Sequence, residues 1–318
     1  MSIIDAHLHL NGSISLEYLK DTATRNGCSE LYDKFIFEDN PWKKFDWVHQ
    51  IIQTTEDITR AVIDVVKHST ADILEIRTTP KPMRDQNVEA YIQAFTKGLQ
   101  EANEFYPQKK ARGLLSIDRT RHAFEEAKGI IDTALAEKKS SGMIVGIDLS
   151  GNYLAARKLT GHDLYEAIKY ALSKDIGLAL HVGEIDSEIE RRDFDHILNA
   201  IEEYTGKICG KIRLGHAVYR TESQDEIIKK LKIPVEICPS CHLQLGWWEQ
   251  NKAHPILRLY PHRSRVLSGT DDSLIFNCDA RQEQEKLDEI LGIPDKFLHL
   301  SKEEQITRVA DKRKSYLF

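Results

Sequence analysis

Apolar, β-branched residues gather along this chain in eight short runs: IIDAHL (3–8), ILEIRT (73–78), RGLLSI (112–117), MIVGIDL (143–149), GLALHV (177–182), KIRLGH (211–216), PVEIC (234–238) and RVLSGT (265–270). Each has the length and residue types of a strand. Between most of them lie longer amphipathic stretches, at 87–105, 121–138, 161–173, 187–204, 222–231 and 280–291, where apolar positions recur at helical spacing. Successive strand–helix units predict an α/β fold, the TIM (β/α)8 barrel, since near-continuous apolar strands suit a parallel sheet covered on both faces. No internal repeat, low-complexity tract or linker divides the chain. Residues 1–318 are therefore expected to form one barrel domain, with 12–69 a helical insertion after the first strand, placed to act as a lid.

In such barrels chemistry sits at the C-terminal ends of the strands, and the polar residues collect there. His7 and His9 close the first run and, two apart on a strand, point to one face. His181 with Glu184 closes the fifth, His216 the sixth, and Asp271-Asp272 follow the eighth. Singly, each has a plain structural role: a polar pair on a wet strand, a buried histidine, a helix cap in TDDSLIF. Converging from several strand ends, imidazoles and a carboxylate form a ligand set for zinc or a similar divalent ion. His7, His9, His181 and Asp271 are accordingly assigned as metal ligands. One ion per chain is expected, because the fourth run ends in GIDLSGN (146–152) with no lysine to bridge two.

An ion of this kind lowers the pKa of its water to roughly 7, so the expected reaction is hydrolytic. Glu184, His216, Asp272 and the backbone of Gly151 remain for acid, base and orienting roles. Gly183, between His181 and Glu184, lets the chain turn and a ligand approach closely.

Composition narrows the partners. With 41% hydrophobic and 30% charged residues among 318, the chain is an ordinary globular protein. A net charge of -6 gives no general attraction for nucleic acid or anionic lipid, so an anionic ligand must be held by local groups. The opening MSIIDAHLHL lacks a basic n-region and no stretch approaches a membrane span, which points to a cytoplasmic protein, taken as a monomer, with no membrane partner. Five scattered cysteines argue against a disulfide framework. CPSC (238–241) is not the cytidine-deaminase zinc signature, because its proline follows the first cysteine and no H-x-E occurs. GxGxxG, P-loop and HExxH motifs are all missing.

Taken in order, DAHLHLNGS, LEIRTTP, DLSGN, HVGE, RLGH, EICPS and SGTDDSL resemble the successive motifs of the adenosine deaminase family over nearly the whole chain. The resemblance implies an amidohydrolase-like barrel with zinc on His7, His9, His181 and Asp271. It implies that Glu184 protonates purine N1 as hydroxide attacks C6, that His216 orients or deprotonates the water, that Asp272 contacts the water and N7, and that Gly151 offers its N–H to N3. The product is then a 6-oxopurine, with ammonia or an amine leaving.

The residues around the sugar refine the expectation. Adenosine deaminases commonly read HxHLDG, with the acid at the ribose 5′ hydroxyl; here Asn11 takes that position. An aspartate repels a 5′-phosphate, whereas an amide donates to it. HLNGSIS, VHQ (48–50) and LEIRTTP are similar to the adenosine deaminase-like branch, associated with N6-methyl-AMP, while HVGE is closer to the HAGE of adenosine deaminases. Thr78, Thr79, His49, Lys81 and Arg84 are candidates to supply hydroxyls and charge to a phosphate, against a plain role for Lys81 and Arg84 as solvated loop charges. HLQLGWW (242–248) is either core or a pocket wall. The expected substrate is N6-methyl-AMP, giving IMP and methylamine. The alternatives are adenosine as substrate and, in another class, a non-catalytic purine-binding protein.

Overall fold

The computed structural model describes residues 2–260, 265–292 and 301–318. Eight strands, β1 (Ile4–His9), β2 (Ile73–Thr78), β3 (Lys110–Asp118), β4 (Ile144–Ser150), β5 (Gly177–Val182), β6 (Ile212–His216), β7 (Val235–Ile237) and β8 (Val266–Ser268), pair in parallel in sequence order. The sheet closes on itself where Asp271 meets β1: its N–H donates to the His7 carbonyl (2.8 Å) and its own carbonyl accepts from His9 N–H (2.7 Å). This is a TIM barrel. Helices α1 (Leu16–Arg25), α2 (Ser29–Phe37), α3 (Pro41–Ile51) and α4 (Thr55–His68) occupy the insertion after β1. The last of them starts at a capping box in which Thr54 and Asp57 satisfy each other's backbone N–H groups.

Outside the barrel run α5 (Val88–Phe105), α6 (Phe124–Ser140), α7 (Gly161–Leu172), α8 (Glu188–Glu202) and α9 (Glu222–Leu231). Then come α10 (Pro239–Gln244), a 3-10 turn (Pro255–Arg258), α11 (Ser273–Phe276), α12 (Ala280–Leu291) and α13 (Lys302–Lys314). β7 and β8 are shorter than their apolar runs. Pro239 stands at the first turn of α10, which proline's fixed φ favours, so Cys238 leaves the ladder. Past β8, Gly269 lies so close to His7 that a Cβ there would sit 2.4 Å from the His7 Cβ. Among the described residues no helix is long and apolar enough to cross a membrane.

Alternation along the strands sorts two environments. In β2, Leu74 and Ile76 pack in the apolar layer between barrel and helices, while the buried Glu75 and Arg77 join side chains inside the barrel. The N-terminal mouth is filled by the last residues of the chain. The Phe318 ring lies under the Arg213 guanidinium (3.7 Å to the ring centre), and Phe318 N–H donates to Glu75 Oε1 (2.9 Å). Gly177 makes room for the ring, since a Cβ there would lie 2.3 Å from Phe318 Cγ. Gly177→Ala is therefore expected to destabilise the fold by about 1–3 kcal/mol through overpacking. Denaturant titration should find the loss smaller in a Phe318→Ala background; equal losses in both backgrounds would refute this packing account.

Candidate metal centre and substrate cavity

His7 and His9 on β1, His181 on β5 and Asp271 beyond β8 converge at the C-terminal mouth of the barrel, with one ligand atom from each lying within 4.8 Å of all the others. His9 Nε2 is 3.2 Å from His181 Nε2, and both His7 Nε2 and His9 Nε2 are 3.5 Å from Asp271 Oδ1. The far sides of two rings meet carboxylates: His7 Nδ1 is 2.9 Å from Glu236 Oε2, and His181 Nδ1 is 3.0 Å from Asp148 Oδ1. A carboxylate so placed favours the proton staying on Nδ1 and leaves an Nε2 lone pair aimed at the centre. His7 Nε2 is buried with no hydrogen-bond partner. Burial and Arg77 lower the His7 pKa, yet attraction to Asp271 and Glu236 prevails and raises it, so the cluster calls for positive charge at this point. The three-nitrogen, one-oxygen donor set fits a divalent ion such as zinc.

Arg77 holds the two carboxylates behind the cluster. Its Nη1 donates to Asp148 Oδ1 (3.1 Å), and its Nη2 donates to Glu236 and to the Ala6 carbonyl (2.8 Å). Glu236 also accepts from Arg213 Nε (2.5 Å), and Arg213 pairs with Glu75. Burial alone would raise both acids. His181 and Arg77 hold Asp148 well below the usual carboxylate range, as Arg77 and Arg213 do for Glu236.

Glu184, His216 and Asp272 border a cavity of about 270 Å³ that also contains His9, His181 and Asp271 on its wall. Burial raises the Glu184 pKa despite His181 and Arg119, whose Nη2 donates to Glu184 Oε2 (2.8 Å). Burial and then the adjacent Asp271 push Asp272 well above the ordinary value. Asp272 Oδ1 is buried without a partner, and a Cβ on Gly12 would lie 1.8 Å from it, so only glycine leaves this carboxyl its place. Asp272 occupies the N-cap of α11 but makes no capping bond. His216, at φ 58°, brings its Nε2 to 4.0 Å from Asp271 Oδ2.

Gly151 lies on the cavity wall at φ 134°, and a Cβ there would meet Asp118 Oδ1 at 2.7 Å. Gly183 is not among the wall residues. Its N–H donates to Glu190 Oε1 (2.5 Å) and its carbonyl accepts from Val218 and Tyr219. It turns the chain at φ 64° between His181 and Glu184.

Asn11, His49, Thr78, Thr79 and Lys81 all line the cavity. The Thr78 hydroxyl is engaged with the Tyr91 hydroxyl. Arg84 is not among the lining residues: it is exposed and reaches Gln53 Oε1 at 3.3 Å. Arg121, in the connection after β3, supplies a cation that the motifs did not single out. Burial, then Lys81 and Arg121, push the His49 pKa down to about 3; burial and Arg121 bring Lys81 to about 8. Trp42 and Phe45 of α3 line the same space, and Tyr153 bridges Trp42 to Trp247 with both ring pairs 5.3 Å apart. The HLQLGWW stretch thus contributes Leu245 and Trp247 to the cavity wall.

The family model described as adenosine deaminase matches residues 3–307. The chain is 29% identical over 299 residues to N6-methyl-AMP deaminase-L of Xenopus laevis, covering 89% of this chain and 81% of that protein. The crystal structure of the Arabidopsis N6-mAMP deaminase is similar with a TM-score of 0.79 and 27% identity, covering 98% of this chain and 93% of that one. Arabidopsis ADAL complexed with IMP gives 0.78 and 27%, covering 98% and 91%.

Glu236→Gln removes the charge that keeps the His7 proton on Nδ1. Zinc affinity is expected to fall roughly 10- to 100-fold, measured by competition with a chelating dye. Unchanged affinity would mean that Glu236 does not orient the ligand.

Proposed function

This chain belongs to the adenosine deaminase family, and we propose that it deaminates purine 5′-nucleotides with zinc held by His7, His9, His181 and Asp271, converting N6-methyl-AMP and water to IMP and methylamine. That it is a hydrolase acting on a C–N bond follows from the family and from the named N6-methyl-AMP deaminase relatives. The observation that carries the nucleotide reading is the juxtaposition, in one cavity, of the histidine–aspartate cluster with Lys81, Arg121 and His49. Asn11, with a buried and unpaired Oδ1, stands there in place of an aspartate that would repel a phosphate.

A zinc ion held by this cluster would supply a hydroxide equivalent at neutral pH, by lowering the pKa of water to roughly 7. Glu184, whose pKa burial raises, donates to purine N1 and draws electron density from C6. Asp272, whose pKa burial and the adjacent Asp271 raise, donates to N7. Gly151 offers its backbone N–H to N3, and His216 positions the attacking oxygen. Lys81 and Arg121 receive the phosphate, with His49 and Thr79 beside them. The hydroxyl added at C6 gives up its proton, which Glu184, ionised by the first transfer, passes to N6. The C6–N6 bond breaks as C6=O forms, and methylamine leaves while the N1 proton stays on IMP.

Side-by-side ultraviolet assays of zinc-loaded protein on N6-methyl-AMP, AMP, adenosine and N6-methyladenosine, with a chelated control, test the reading. Nucleotides are expected to react best and the chelated sample not at all. A preference for adenosine would overturn the phosphate assignment, and no turnover would favour a purine-binding protein. Glu184→Gln is expected to lower kcat about 100-fold or more while retaining zinc.

A pH prediction follows from Lys81. Its lowered pKa leaves it charged below about pH 8 and neutral above, whereas the nucleotide phosphate, with a second pKa of roughly 6, is essentially doubly charged from about pH 7 upward. KM for the nucleotide should therefore be flat between about pH 7 and 8 and rise above that, with no such rise for adenosine. Lys81→Met should raise KM at pH 7 and remove the pH dependence; an unchanged profile would exclude Lys81 from phosphate binding.

A further inference from the structure

Behind His216, on the side away from the cavity, two more histidines continue a line of hydrogen bonds. His216 Nδ1 is 3.1 Å from His242 Nε2, and His242 Nδ1 is 3.0 Å from His254 Nε2. The line ends at a backbone group: Ile256 N–H donates to His254 Nδ1 at 3.1 Å. All three rings are buried. His242 lies on α10, and His254 caps the 3-10 turn that begins at Pro255.

We propose that His242 and His254 are positioning residues that fix the proton of His216 on Nε2, so that His216 serves the reaction as a hydrogen-bond donor to the attacking oxygen and not as its base. The oxygen belongs to the deamination reading above, on which this role rests. The proton placement stands on the hydrogen bonds alone. A backbone N–H donates and cannot accept, so His254 Nδ1 must offer a lone pair. A neutral His254 then carries its proton on Nε2 and donates it to His242 Nδ1. By the same logic His242 is protonated on Nε2 and donates to His216 Nδ1. The remaining proton of His216 sits on Nε2, the nitrogen 4.0 Å from Asp271 Oδ2.

Reversing the line would set a His254 Nδ1–H against Ile256 N–H, donor against donor, in a buried place where an unsatisfied donor is expensive. Ile256 cannot easily turn away, because Arg220 Nη2 donates to the adjoining Pro255 carbonyl (2.8 Å) and Arg220 Nε is held by Asp225 (2.6 Å). Burial favours one proton per ring: it lowers His242 well below the ordinary value and, with Arg220 nearby, lowers His254 to about 3. The line is thus a polarised dead end. It orients His216 but offers no exit for a proton taken from water.

Long-range proton–nitrogen correlation spectra of the full chain, labelled with 15N-histidine and recorded zinc-loaded and after chelation, test the assignment. His216 signals are identified by their loss in His216→Asn. Protonated Nε2 and bare Nδ1 are expected for His216, His242 and His254. His242→Gln can still offer an N–H to His216 and a carbonyl to His254, and should keep the His216 tautomer with kcat within about threefold of native. His242→Leu removes both links; it should mix the His216 tautomers and lower kcat about tenfold with little change in KM. A native His216 protonated on Nδ1, or a tautomer unmoved by His242→Leu, would overturn the proposal. If His242→Leu does not fold, the native spectrum still decides. Because the spectra need no turnover, failure of every substrate would count against the deaminase reading while leaving the proton placement intact.

Discussion

Arg77 stands between Asp148 and Glu236 inside the barrel, and through them it governs two of the four groups that converge at the mouth. An isolated buried carboxylate would take up a proton. With Arg77 present, Asp148 and Glu236 remain ionised, and only as anions do they draw the Nδ1 protons of His181 and His7 to the back of the rings. The guanidinium therefore sets the aim of both imidazoles without touching them. A buried ion pair is weak as a source of stability, and its value here is orientation. The closure of the barrel serves the same end, because the bridge between β1 and Asp271 sets three of the converging side chains on adjoining backbone.

The cavity itself runs on suppressed charge. Burial pushes Glu184 and Asp272 towards their acid forms and His9, His49 and His216 towards their neutral forms. A purine ring presents lone pairs at N1, N3 and N7, so neutral acids and N–H groups complement it better than carboxylates do. Cationic side chains enter the cavity from the connections after β2 and β3, in Lys81 and Arg121. The tryptophan and tyrosine faces of Trp42, Tyr153 and Trp247 supply the apolar remainder.

Much of this was legible in the chain. The β-branched runs gave the barrel, and the polar residues at their ends gave the residues that gather at its mouth, because strand periodicity and barrel closure are local consequences of sequence. Less legible was what depends on contacts across the barrel. Arg77, Asp148 and Glu236 lie within apolar runs, ILEIRT, MIVGIDL and PVEIC; a charge of either sign inside a covered strand is costly alone and signals partners on other strands. Arg121 gave no such signal, being one of several cations in loops, and Arg84 looked equivalent to it until the connections were placed in space. At Gly183 the expected turn between His181 and Glu184 is present, at φ 64°. The histidines at 242 and 254 had no spacing to tie them to His216, since their meeting depends on the irregular path between β7 and β8.

Barrels of this kind are commonly treated as modular, with stability assigned to the lower face and chemistry to the upper. The column of side chains from Phe318 through Glu75, Arg213 and Glu236 to His7 makes that separation incomplete in this molecule. Substitutions chosen at the lower mouth for solubility or rigidity share an unbroken line of charge with the imidazole at the top. Redesign of this scaffold must treat its foundation and its reactive face as one electrostatic object.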